Sequence, residues 1–158
     1  VPILFECEPG RELEIIDRLA RVGYDNPIGY LEGGFQAWVD AGEEVDSIKE
    51  VYAQEFEGIY KQHPIHLLDV RRASEYNAQH IVGAQNFPLD FINKNMSEVD
   101  RHQEYFLHCV GGYRSMIAAS ILRSRGFQNL INIRSGFRAL QEETKLPMTE
   151  YVEQITEL

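Results

Sequence analysis

His108-Cys109-Val110-Gly111-Gly112-Tyr113-Arg114-Ser115 is the stretch from which the fold of this chain can be worked out. The apolar run Tyr105-Phe106-Leu107 before it reads as a strand, and residues 115–122 after it carry apolar side chains at helical spacing. Cys109 therefore sits on a tight turn between a strand and a helix N-terminus. Gly111 and Gly112 admit backbone angles that other residues resist. No proline lies between Cys109 and Ser115, so every amide of the turn is available to point inward. A nest of N–H dipoles backed by a helix N-terminus stabilises an anion. The same field favours a thiolate, so Cys109 is expected to titrate below the ~8.5 of a free thiol. A buried, inert cysteine is the alternative; the glycines, the arginine and the strand–turn–helix setting favour a nucleophile.

Length and charge bound what such a nucleophile serves. The chain has 158 residues, 44% of them hydrophobic, enough for one α/β domain and some remainder. No apolar run approaches the ~18 residues of a membrane span, and no charged-then-apolar pattern opens the sequence. Two cysteines, Cys7 and Cys109, make no disulfide framework, so a reducing, cytoplasmic setting is expected. A net charge of −10 argues against nucleic acid and against an anionic membrane as partners. The charge is uneven, however. Between positions 101 and 138 stand six arginines (Arg101, Arg114, Arg123, Arg125, Arg134 and Arg138) and one acid, Glu104. Cys109 thus lies in the basic stretch of an acidic protein, which suits a small anionic substrate; a solvated basic helix face is the alternative. The five histidines (His63, His66, His80, His102 and His108) show no metal-ligand spacing. His80 and His108 read better as hydrogen-bonded structural residues than as catalytic bases.

The chain repeats itself in part. Residues 1–5 read as a strand, 10–22 as a helix with Leu13, Ile16 and Leu19 on one face, 28–31 as a strand and 34–41 as a helix. Gly23-Tyr24-Asp25-Asn26 is echoed by Gly126-Phe127-Gln128-Asn129, and Gly34-Phe35-Gln36-Ala37-Trp38 by Gly136-Phe137-Arg138-Ala139-Leu140. Only the second half of the later unit has a counterpart. Residues 1–46 are therefore expected to be the C-terminal half of a second unit, with Leu13, Ile16, Leu19 and Trp38 packed against other apolar surface. A longer protein, carrying a further N-terminal domain, is expected from this. Residues 41–49 read as a linker, 47–147 as the complete domain and 148–158 as a C-terminal tail. Inside the complete domain, helices are expected at 53–60, 71–79 and 88–95, strands at 66–70, 104–108 and 130–133, and a last helix at 136–143. His66-Leu67-Leu68-Asp69-Val70 is mostly apolar, as in a parallel strand covered on both faces.

Three motifs then carry a resemblance. The loop Cys109 to Ser115 resembles the active-site loop of a rhodanese, a sulfurtransferase. Tyr76, His80, Ile81, Gly83, Ala84 and Phe87 stand as in the family's N-terminal signature, with Val82 where proline is usual. Gly136-Phe137-Arg138-Ala139 is similar to its C-terminal Gly-Gly-aromatic-x-Ala motif, with Ser135 for the first glycine; Gly33-Gly34-Phe35 in the first copy keeps both. The wording around Cys109 also resembles rhodanese domains fused behind a metallo-β-lactamase-fold persulfide dioxygenase, in which a degenerate rhodanese unit lies between the two.

The resemblance implies an α/β, rhodanese-like fold: a central parallel sheet with helices on both faces, preceded by a partial degenerate rhodanese-like unit. It implies a sulfurtransferase that moves a sulfane sulfur from thiosulfate or a small persulfide, through a Cys109 persulfide, to a thiol, sulfite or cyanide. No cofactor is implied. Arg114 would brace the loop and attract the donor, while Val110, Gly111, Gly112, Tyr113 and Ser115 would surround the transferred sulfur. Asp69 and Arg71 would flank the pocket or form a structural pair. A phosphatase or arsenate reductase is the enzyme alternative, disfavoured because cysteine-dependent phosphatases place one residue more between cysteine and arginine than stands between Cys109 and Arg114. A non-enzymatic interaction or redox-sensing module is the other.

Cys7 aligns with Cys109, but its loop holds Pro9, which removes an amide donor, and Glu8 and Glu12, which repel a thiolate. Cys7→Ser should leave sulfur transfer within about twofold, because nothing at Cys7 favours the thiolate form. A steady-state assay beside a thermal melt checks this; a tenfold loss without a stability change would make Cys7 functional.

Overall fold

The computed structural model describes residues 1–153. The chain divides into two compact units, residues 1–47 and residues 48 onward.

In the second unit five parallel strands form one sheet: β3 (Lys49–Val51), β4 (Leu67–Asp69), β5 (Ala84–Asn86), β6 (Tyr105–His108) and β7 (Leu130–Ile133). Their spatial order is β3-β7-β6-β4-β5. Parallel neighbours need crossovers, which are α3 (Ala53–Gln62), α4 (Ala73–Ala78), α5 (Ile92–Asn95) and α6 (Tyr113–Ser124), with α7 (Gly136–Glu143) following the last strand. Side chains alternate across each strand. Leu67 and Phe106 join Phe56 of α3 and Leu140 of α7 in one core layer. Leu68 and Leu107 join Ile92 of α5 and Ala118, Ala119 and Leu122 of α6 in the other. With both faces covered, every residue of β4, β6 and β7 is buried, which explains their nearly continuous apolar runs.

The short edge strands escaped the sequence. Lys49–Val51 begins on the last residue of the expected linker, and no strand was expected there or at Ala84–Asn86. Each edge strand has one neighbour and holds three residues, two of them polar, so neither carries a run of apolar side chains long enough to show. The expected helix at 88–95 is broken into a tight turn at Leu89–Phe91, α5, and a second turn at Met96–Glu98. Residues beyond α7 are tied down: Ile81 pairs antiparallel with Met148. The amides of Val82, Thr149 and Val152 bond to the carbonyls of Pro147, His80 and Ala78. The last five residues of the expected tail lie outside the described residues.

The first unit contains β1 (Ile3–Phe5), α1 (Glu12–Arg21), β2 (Pro27–Tyr30) and α2 (Gly34–Asp40), with β1 and β2 parallel. The unit does not itself cover the apolar faces of its helices. No residue of α1 is buried, Leu13 is 81% exposed and Trp38 41%. Two strands and two short helices enclose too little volume to cover their own apolar faces.

Leu107, fully buried in the central strand β6, reports on the core of the second unit. Leu107→Ala should cost about 2–5 kcal/mol through lost contacts and the cavity left behind. Urea unfolding measures it as a lower midpoint at unchanged slope.

Candidate active site

β6 and β4 run side by side and parallel, and the chain leaves them in opposite directions, β4 toward β5 and β6 toward β7. Open α/β sheets bind ligands in the crevice that such a reversal leaves at the carboxyl ends of the strands. Cys109 follows β6 at that end, and Asp69 closes β4 beside it.

The loop after Cys109 turns back on the sulfur. Gly112 takes a left-handed angle, φ 98°, and caps α6, which therefore begins at Tyr113, two residues earlier than the apolar periodicity suggested. The Gly112 amide donates to Cys109 Sγ at 3.1 Å. The Ser115 hydroxyl lies 3.6 Å from the same sulfur and 3.0 Å from the Gly112 carbonyl. Burial of the sulfur opposes its charge, but hydrogen bonds from the Ser115 hydroxyl and from the amides of Ser115, Gly111 and Gly112 prevail. The Cys109 thiol is thereby held below its ordinary value. Cys109 itself is 2% exposed and Ser115 is buried. Val110, Gly112 and Arg114 are half-buried, Gly111 is exposed, and Tyr113 at 80% exposure stands in solvent.

The loop is anchored from behind by α7. Phe137 N–H donates to the Cys109 carbonyl at 2.6 Å and Arg138 N–H to the Val110 carbonyl at 3.1 Å. Gly136, φ 58°, has no room for a side chain: a Cβ would stand 2.3 Å from the Cys109 carbonyl oxygen. Ser135, where the sequence resemblance expects glycine, takes φ 61°, an uncommon angle for a residue with a side chain.

Asp69 and Arg71 form a buried pair, 0% and 4% exposed. Arg71 Nε donates to both Asp69 oxygens at 2.9 and 3.0 Å, and Nη2 also reaches the Gln79 carbonyl at 2.8 Å. The Arg71 guanidinium lies 3.9 Å over the Phe137 ring. His108, fully buried, sits between the Cys109 carbonyl (Nδ1 at 3.3 Å) and Asp69 (Nε2 at 3.8 Å). Burial lowers its pKa, Asp69 opposing and Arg71 assisting, so its ring stays neutral near pH 7. Of the two arrangements open in the sequence for Asp69 and Arg71, the geometry is that of the structural pair. His80, in turn, stacks on Tyr76 with centroids 3.7 Å apart, and its Nδ1 lies 2.8 Å from the Tyr76 carbonyl.

Glu75 is the residue the sequence did not single out. Its two carboxylate oxygens take both Nη groups of Arg114 at 2.7 and 2.8 Å. The hydrogen bonds of this pair lower the Glu75 pKa and raise that of Arg114. No local pattern joins positions 39 apart; the pair exists because α4 and α6 follow the neighbouring parallel strands β4 and β6 and so start at the same end of the sheet.

Cys7 presents the contrast. Its surroundings and the carboxylates of Glu12 and Glu6 push its thiol up. Among the described residues no cluster of three or more His, Cys, Asp or Glu is placed to hold a metal, and no helix is long and apolar enough to cross a membrane.

Comparison with known proteins places this geometry. The model of the rhodanese-like domain family matches residues 52–143. Over 99 residues the chain is 31% identical to "Putative sulfur carrier protein YrkF" of Bacillus subtilis, covering 62% of this chain and 54% of that relative. Over 73 residues it is 30% identical to a sulfurtransferase of Allochromatium vinosum, covering 46% of this chain and 68% of that one. The chain thus spans about half the length of the first of these relatives. Among solved structures, the rhodanese-like domain protein of Staphylococcus aureus superposes with a TM-score of 0.57 at 26% identity, over 63% of this chain and 97% of that one.

The Ser115 hydroxyl sets a test of the thiolate site. Ser115→Ala should move the pH dependence of Cys109 alkylation to higher pH, since a donor to the anion is lost. The rate near neutral pH should fall roughly fivefold, the worth of one net hydrogen bond of ~1 kcal/mol. Iodoacetamide labelling read by intact mass across pH checks this, and an unchanged profile would leave the loop amides alone responsible.

Proposed function

The chain belongs to the rhodanese-like domain family, and on that premise we propose that it is a sulfurtransferase with Cys109 as its nucleophile. The observation that carries the reading is the thiolate nest at the carboxyl end of β6: one sulfur, low in pKa, ringed by the amides of Gly111, Gly112 and Ser115. Relatives described as a sulfurtransferase and as a sulfur carrier support it.

In the proposed reaction Cys109 Sγ attacks the outer, sulfane sulfur of the donor. The donor's S–S bond breaks, and its electron pair leaves with sulfite from thiosulfate or with a thiolate from a persulfide. A Cys109 persulfide results, and the loop amides stabilise its terminal sulfur as they would any developing anion. A thiol, sulfite or cyanide then attacks that sulfur and restores the Cys109 thiolate, a ping-pong cycle. The likeness of residues 108–115 to persulfide dioxygenase fusions supports a low-molecular-weight persulfide as donor. His108 holds the Cys109 carbonyl from behind, and the Asp69–Arg71 pair packs through Arg71 on Phe137, whose N–H bonds the same carbonyl. No step calls for a cofactor. A cytoplasmic location belongs to the same proposal.

Incubation with thiosulfate or glutathione persulfide should add one sulfur to Cys109, removable by cyanide. Cys109→Ser should take up none, and Cys7→Ser should take it up normally. Intact mass and peptide mapping read the result. Sulfur on Cys7, or hydrolysis of aryl phosphates dependent on Cys109 and as fast as sulfur transfer, would overturn the proposal.

A further inference from the structure

The basic stretch around Cys109 is less basic in three dimensions than in sequence. Arg114, the cation of the loop, spends both of its terminal nitrogens on Glu75. Glu75 is itself held in place, since Oε2 also accepts the Arg72 amide at 3.1 Å at the start of α4. Arg71 is consumed by Asp69, and the Arg72 side chain lies 3.3 Å from Asp90. The arginines of the β4–α4 corner and of the loop are thus each matched by a carboxylate.

From this we infer that Glu75 is the residue that sets donor specificity, turning the site away from dianionic donors whose sulfane sulfur is borne by a sulfonate group and toward persulfides of thiols. The inference rests on the sulfurtransferase reading above. A thiosulfate ion must bring two negative charges to a loop whose guanidinium is already neutralised in a fixed bidentate pair. It either displaces a preorganised carboxylate or approaches beside it, and both oppose reaction. A persulfide R–S–SH carries no sulfonate and at most the single charge of its outer sulfur, so it asks less of Arg114. Attack on it breaks the S–S bond, the thiolate R–S⁻ leaves with the electron pair, and the proton stays with the transferred sulfur or passes to solvent. With Tyr113 in solvent and Gly111 exposed beside the sulfur, the loop leaves space for such a carrier. Glu75 is a positioning residue: it acts through Arg114 and not on the reacting sulfur.

The test compares two probes, thiosulfate and the persulfide of 2-mercaptoethanol, by the rate of Cys109 sulfur loading in quenched-flow intact mass. Glu75→Gln keeps an amide oxygen for the Arg72 N–H and frees the Arg114 charge. It should speed loading from thiosulfate about tenfold at low salt and change loading from the persulfide less than about twofold. The thiosulfate gain should vanish toward 1 M salt, where the screening length falls to about 3 Å. Arg114→Gln, which leaves Glu75 unpaired, should move the ratio the other way, slowing thiosulfate about tenfold more than the persulfide. These opposite shifts separate specificity from a structural role, which would slow both donors alike in both variants. Equal slowing of both donors, or an unchanged ratio, overturns the inference while leaving the sulfurtransferase reading intact. Absence of loading from both donors in the unaltered protein overturns that reading instead.

Discussion

The hydrogen bond from Phe137 N–H to the Cys109 carbonyl is the contact on which the rest of this site depends. It joins the end of β6 to the start of α7, and so fixes the direction in which the loop leaves the sheet. The approach is too close for any side chain at position 136. Only with that carbonyl pinned do the amides of Gly111, Gly112 and Ser115 gather on the sulfur, where their combined pull exceeds the cost of burying a thiolate. The Asp69–Arg71 pair lies one strand away and stacks through Arg71 on Phe137. A buried ion pair of this kind contributes little net stability against a hydrophobic replacement, but losing one partner leaves a costly lone charge. It acts here as a rigid floor under the loop.

The two units show the same backbone device with opposite chemistry. Gly34 stands to Cys7 as Gly136 stands to Cys109: in each, a Cβ on the glycine would collide with the cysteine carbonyl. Yet in the first unit it is the Glu6 carboxylate that accepts the Phe35 amide, and Glu6 and Glu12 raise the Cys7 thiol. In the second, the peptide dipoles of the loop lower the Cys109 thiol. A strand–turn–helix is thus not enough to favour a thiolate; the charges and dipoles placed around the sulfur decide.

Charge is also where a count of residues misleads. Six arginines against one acid between positions 101 and 138 suggest a strongly positive mouth. Glu75, outside that interval, cancels the arginine of the loop itself. Composition sums charges along the chain, whereas a substrate meets the field that remains after pairing in space.

The features legible along the chain are local. The bounds of β7 and α7, the strand before Cys109, the turn glycines and the low thiol pKa all follow from apolar periodicity, backbone freedom and dipoles within a few residues. The features that arise on folding are non-local: the edge strands β3 and β5, short and mostly polar, exist because a neighbouring strand supplies their hydrogen bonds. The demand for glycine at 136 comes from the Cys109 carbonyl, and the state of Arg114 from a carboxylate 39 residues away. Local preferences act between groups a few bonds apart and can be read along the chain. Close approach and charge pairing depend on which elements the sheet brings together, and only the folded chain sets that.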